Sequence, residues 1–150
     1  MIFVTGYFGA PIRGCAREIS KDKGYALIDL DERVEAIDGR SIRRLCMMNG
    51  EHGYRNKEYE ALKEIADGGD RDVVIACGDG VLLDEMSREL ILREGQLIIA
   101  GKDMTEEALW ESAKSMDDTY HAFMHFGSED QKREAFGKHF ERQKKLFGGI

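Results

Sequence analysis

Proline is all but missing from this chain: Pro11 is the only one in 150 residues. Breaks between elements must therefore fall mostly at glycines, of which there are 17, since glycine reaches backbone angles closed to other residues. Cysteine is scarce as well. Cys15, Cys46 and Cys77 are an odd number with no metal-ligand spacing, which points away from a disulfide framework and toward free thiols in a reducing compartment. No stretch approaches the roughly 18 apolar residues of a membrane span, and no basic segment followed by an apolar one opens the sequence. A cytoplasmic protein, neither exported nor membrane-inserted, is expected. Positive charge is also in deficit: 22 Lys and Arg against 29 Asp and Glu leave a net charge of −7. That balance argues against nucleic acid or an anionic membrane surface as a partner, while leaving room for a small anion held in a local basic pocket.

What is present suits one domain with a real core, spanning 1–150, since 42% of the residues are hydrophobic and 34% charged. Short runs of β-branched and aliphatic residues at 2–5, 73–77 and 96–100, with a fourth at 25–29, read as buried parallel strands. Helical patterns separate them. The sequence predicts helices over 15–23, over 31–49 as two pieces broken at Asp38-Gly39 with Ser41 capping the second, over 57–67, over 83–93 and over 106–115 behind Thr105. A last, strongly charged helix over 129–147 carries Phe136, Phe140 and Phe147 as its apolar stripe. Strands alternating with helices imply right-handed crossovers and an open parallel sheet with helices on both faces, whose ligands sit at the carboxyl ends of the strands.

The turn after the first strand, residues 6–14, is the most informative segment. A phosphate-binding loop reads G-x-x-x-x-G-K-[ST]: backbone N–H groups wrap the phosphates, the lysine reaches their oxygens, and the hydroxyl ligates magnesium. Gly6 and Gly9 stand where such a loop wants them, but the second motif glycine is Pro11, the lysine is Ile12 and the hydroxyl residue is Arg13. Pro11 removes one donor outright. Arg13 and Arg17 are the cations able to reach back in the lysine's place, and the helix N-terminus that follows keeps some attraction for an anion.

Four landmarks, taken together, resemble shikimate kinase, a small phosphate-loop kinase. They are the opening IFVTGYFG at 2–9, YALIDLDE at 25–32, Gly53-Tyr54-Arg55 followed by Glu58, and VIACGDGV at 74–81. The resemblance covers 1–115 well and the remainder loosely. It implies a three-layer α/β/α sheet, expected to lack the family's last strand because the segment at that place is Gly148-Gly149-Ile150. It implies ATP and Mg2+ as cofactors and a shikimate-like or other small polar metabolite as ligand.

Carried over position by position, the resemblance makes Asp31 the catalytic group that contacts the substrate hydroxyl and Asp29 the one that holds hydrated magnesium. Arg55 would pair with a substrate carboxylate, Gly78 and Gly80 would line its ring, and Gly6, Gly9, Ala10, Arg13, Gly14 and Arg17 would surround the nucleotide phosphates. Simpler readings stand beside these: strand-end aspartates cap helices, Arg55 could be a surface ion-pair partner, and the two glycines could only permit a tight turn.

The departures are equally specific. Asp79 replaces the middle glycine of the ring-lining turn, putting an acid where it would repel carboxylate and phosphate. The lid, residues 116–128, contains no arginine or lysine. His121 and His125, four apart, read as ordinary helix-surface residues rather than a metal pair, which would need further ligands. Near the C-terminus the family's second carboxylate-binding arginine falls on Gln143, with Arg142 one residue away as its candidate replacement. The 96–100 strand would lie at a sheet edge, inviting pairing with another copy in a homodimer or a covering helix. The expectation is a non-catalytic or impaired small-molecule-binding or regulatory member of the family; the alternative is an active, atypical kinase that phosphorylates the 3-hydroxyl of shikimate, using Arg13 or Arg17 at the phosphates.

Overall fold

In the computed structural model, which describes residues 1–116 and 119–150, four strands form one parallel sheet. They are β1 (Ile2–Gly6), β2 (Ala26–Asp29), β3 (Val73–Ala76) and β4 (Gln96–Ala100), in the order β2-β3-β1-β4. Every strand direction is the same, so each connection must cross over the sheet, and helices supply the crossings. The central strand β1 is buried along its whole length, as a parallel strand covered on both faces should be.

Alternation sorts the core into two layers. Ile2 and Val4 of β1, with Val74 and Ala76 of β3, face α1 (Ile12–Lys23) and pack with its Ala16. Phe3, Val73, Ile75 and Cys77 face the opposite way into the larger core. That layer is closed by α2 (Leu30–Asp38), α3 (Ile42–Asp67), α4 (Glu85–Glu94), α5 (Glu106–Ala113) and α6 (Glu129–Gly148). Phe3 is 1% exposed, and burying a side chain of that size contributes about 1.5–3 kcal/mol.

The elements begin and end where the chain gives them caps. Asp29, Ser41, Asp84, Thr105 and Ser128 each accept backbone N–H bonds at a helix start. Gly24 and Gly39 close α1 and α2 in the left-handed region. Two helices differ from the sequence reading. α1 starts at Ile12 rather than at 15, because Pro11 itself fills the entry position, where its missing N–H costs nothing. α3 (Ile42–Asp67) is two helical pieces that meet at Gly50, whose φ of 74° and ψ of 172° are non-helical, so the break expected after Asn49 is there, and the second piece begins directly after it rather than at 57. Among the described residues, no helix is long and apolar enough to cross a membrane.

Candidate functional site

A cavity of about 790 Å3 opens at the carboxyl ends of β1, β2 and β3. Its floor is the 8–14 turn. Asp29 and Asp31 form one wall, residues 76–79 another, and Ser112, Ser115, Met116, Thr119 and Tyr120 the roof. The topology explains the place: β1 and β2 are not neighbours in the sheet, so the loops leaving them diverge and leave a crevice between them.

The turn is held by the protein's own acceptors. The Tyr7 N–H donates to the Ala100 carbonyl at 3.2 Å, Ala10 N–H to Tyr7 at 2.9 Å and Ile12 N–H to Ala10 at 2.9 Å. The Phe8 N–H donates to Gln143 Oε1 at 2.9 Å. Gly9, at φ 98°, sits directly against the backbone of Leu109, where a side chain would collide. Gly6 is likewise pressed against Ala100. Ala10, Gly14 and Arg13 line the cavity, whereas Arg17 is exposed and lies outside its lining.

Arg13 reaches across to the wall. Its Nε donates to Asp29 Oδ2 at 2.7 Å, and its Nη2 lies 3.9 Å from Asp31 Oδ2. Asp29 Oδ1 is taken by the backbone N–H groups of Asp31 and Glu32, so this residue is a helix cap as well as an ion-pair partner. Asp31 accepts the Tyr54 hydroxyl at 2.6 Å. Burial raises the Asp31 carboxyl above the usual range, and the Tyr54 bond pulls against that shift without cancelling it.

Behind this wall lies a buried ionic knot. Arg55 is 5% exposed and Glu58 0%, and they meet at 2.8 Å. The guanidinium also reaches Glu51 at 3.0 Å and the Tyr120 hydroxyl at 2.5 Å, and lies over the rings of Tyr54 and Tyr120. Arg55 is therefore no surface residue, and its partner Tyr120, not Arg55 itself, lines the main cavity. Burial pushes the Glu58 carboxyl up to about 7 against the pull of Arg55. Gly80 is tight for a concrete reason: a Cβ there would run into the Arg55 guanidinium and the Tyr120 hydroxyl. Gly78 is less constrained; its nearest neighbour is the Tyr54 hydroxyl.

The acid at position 79 is not the bare repulsive charge that the sequence suggested. Its carboxylate lies 2.9 Å from His121 Nε2, 3.4 Å from His139 Nε2 and 3.1 Å from Gln143 Nε2. Burial would raise it, but the two imidazoles hold it far below the usual carboxylate range. His121 is correspondingly buried, 7% exposed, and lies just before a short 3-10 turn (Ala122–Met124) rather than on a helix surface. The ring of His125 meets the Thr119 carbonyl instead. Within the expected lid, positions 117 and 118 lie outside the described residues.

At α6 the helix rotation is resolved. Gln143 faces inward, 2% exposed, while Arg142 is exposed and lines a second cavity rather than the main one. Sequence reasoning passed over Arg43 and Tyr54 at the site, and over His139 altogether. His139 had a signal: Phe136, His139, Gln143 and Phe147 recur at helical spacing and share the buried face. Burial raises all three cysteine thiols above their ordinary value, Cys46 to about 11.

A parallel α/β sheet with a strand-to-helix turn under a cleft at the strand ends defines the phosphate-loop kinase-like class. Within that class, the profile described as Shikimate kinase matches residues 14–139, and the chain belongs to the shikimate kinase family. It is 39% identical over 99 residues to a bifunctional shikimate kinase/3-dehydroquinate synthase of Thermotoga maritima, covering 65% of this chain and 20% of that protein. It is 33% identical over 98 residues to a shikimate kinase of Chlorobium limicola, covering 65% and 48%. The chain thus spans about half the length, or less, of these curated relatives. Among solved structures, shikimate kinase of Bacteroides thetaiotaomicron superposes with a TM-score of 0.82 at 22% identity, covering 98% of this chain and 81% of that one. The Acinetobacter baumannii enzyme, solved in complex with shikimate, gives 0.81 at 20%, covering 99% and 78%.

Proposed function

We propose that this chain is a shikimate-kinase-fold binding protein that keeps a pocket for a small hydroxylated or amine-bearing metabolite and has lost ordinary phosphoryl transfer from ATP. The observation that carries this reading is the state of the turn. The amides of Tyr7, Phe8, Ala10 and Ile12 are bonded to protein acceptors and Pro11 has none to offer, whereas phosphate binding at such a turn depends on amides aimed at the ligand. The residues present do not fit a magnesium-bound nucleotide. Both oxygens of Asp29 are engaged, one by a guanidinium at 2.7 Å, and a divalent cation would compete with that positive charge for the same oxygen. Ile12 offers no charge where the family's lysine stands.

The ligand class follows from the cavity's charge. Arg13 and Arg43 face Asp29, Asp31, Glu35 and Asp79 across the lining, which disfavours a polyphosphate and suits hydroxyl or ammonium groups as donors to carboxylates. Asp31, fixed by Tyr54, is the group assigned to a ligand hydroxyl. Shikimate, the ligand of the Acinetobacter baumannii structure, belongs in the panel to be tested.

A second reading, an active atypical shikimate kinase, is favoured by one contact: Arg13 lies beside Asp31, placing a cation next to the expected catalytic carboxylate. A coupled assay with shikimate, ATP and magnesium separates the two. Turnover at roughly 1–100 per second, the ordinary kinase range, that disappears in Arg13→Ala establishes the second reading and overturns the first. Absence of turnover, with a thermal shift from shikimate or an amine-bearing metabolite and none from magnesium ATP, is the result expected here.

A further inference from the structure

We propose that Asp79, His121 and His139 form a binding site for a transition-metal dication of the zinc class, separate from the Asp29 position at which the family resemblance places magnesium. The three residues come from three parts of the chain: the turn after β3, the segment after α5, and α6. Yet one ligand atom from each lies within 4.8 Å of the other two. Both imidazoles address the same carboxylate oxygen through Nε2, at 2.9 and 3.4 Å. A tetrahedral ion with bonds of about 2.0–2.1 Å keeps its ligand atoms roughly 3.3 Å apart, so the triad has the span to close on an ion with side-chain adjustments alone.

The donor set is selective. Two imidazoles and one carboxylate suit zinc, cobalt, nickel or ferrous iron, whereas magnesium and calcium prefer oxygen alone. The surroundings complete the site. Gln143 donates from Nε2 to Asp79 Oδ2 at 3.1 Å and to the Asp79 carbonyl at 3.1 Å, while its Oε1 is fixed by the Phe8 N–H. That is an outer-shell anchor of the kind that orients a ligating carboxylate. Phe8, Tyr120 and Phe123 pack around the imidazoles, with Phe8 4.3 Å and Tyr120 4.3 Å from His121, and Phe123 5.6 Å from His139, between ring centres. His121 and His139 also line the second cavity, of about 520 Å3, which leaves access for a fourth ligand, as sites with three protein ligands have.

The test uses the full chain, stripped with chelator and titrated calorimetrically with zinc. One ion per chain is expected, with cobalt giving visible ligand-field bands on replacing it. His121→Gln and His139→Gln, which keep a hydrogen-bonding group toward Asp79, should each weaken zinc binding by about 100-fold or more, and Gln143→Ala by about 10–100-fold. His52→Gln and His125→Gln should leave it unchanged. Absence of stoichiometric uptake by the unmodified chain overturns the proposal whatever the variants do. So does zinc binding that survives His139→Gln in a protein whose circular dichroism is unchanged.

Discussion

The two sides of the main cavity hold their charges in opposite ways. Behind the wall made by Asp29 and Asp31 the ions are sealed: Arg55 and Glu58 are buried and answer one another, with the rings of Tyr54 and Tyr120 against the guanidinium. On the turn the charge is outside: the Arg13 side chain is 58% exposed, and the turn is fixed by backbone and amide bonds. A sealed ion pair contributes little net stability once desolvation is counted, yet breaking one half of it is expensive. An exposed pair is cheap to lose. The wall is therefore rigid by electrostatics and the turn by hydrogen bonding and close contact.

Arg55→Met tests the wall hardest. It leaves Glu58 without its partner in an apolar site, and a loss of about 3–5 kcal/mol is expected in denaturant unfolding. A loss below about 1 kcal/mol would mean that the wall is not sealed. The same wall should carry a pH signature. Burial pushes the Glu58 carboxyl up to about 7 in the folded chain, against 4.5 for an ordinary glutamate. The folded state thus binds more protons than the unfolded one between those values. Its contribution is fully present below about 4.5 and is lost as pH rises through about 7, by on the order of 3 kcal/mol. Glu58→Gln should flatten that slope, and an unchanged slope would assign it to other groups.

The turn predicts smaller effects. Gly9→Ala forces a side chain against the Leu109 backbone at a positive φ, with an expected loss of about 1–3 kcal/mol; the thermal midpoint reads it. At the junction of the two sides, Asp29→Ala removes the cap of α2 together with the Arg13 contact. A loss of about 1 kcal/mol is expected, nearly all from the cap. Arg13→Ala alone should therefore move the unfolding midpoint hardly at all, and a drop as large as that of Asp29→Ala would show that the exposed pair is not cheap.

Much of the fold was legible because its signals are local. The strands at 2–5 and 96–100 were recognisable from aliphatic runs bounded by breakers, and Ser41 and Thr105 announced their helices. The break at the middle of α3 was legible from its glycine, since Gly50 leaves the helical region there; what the sequence did not show is that the second piece starts directly after Gly50 instead of at 57. The site was less legible, for a different reason. Asp79 looked like a stray charge because its partners lie 42 and 60 residues away. No pattern near position 79 announces His121 or His139; only the fold brings them there. Arg55 and Glu58 could be read as a pair from their spacing, but not as a buried one.

Gln143 has a consequence of its own. Its side chain is a flat, stiff plate gripped at both edges, one by the Phe8 amide of the turn and the other by Asp79 of the wall. Neither edge can be re-aimed without swinging the other. Any molecule that draws Asp79 aside must therefore tug on the first turn through a single amide, and one that displaces Phe8 must loosen Asp79 to the same degree, since such coupling acts equally in both directions.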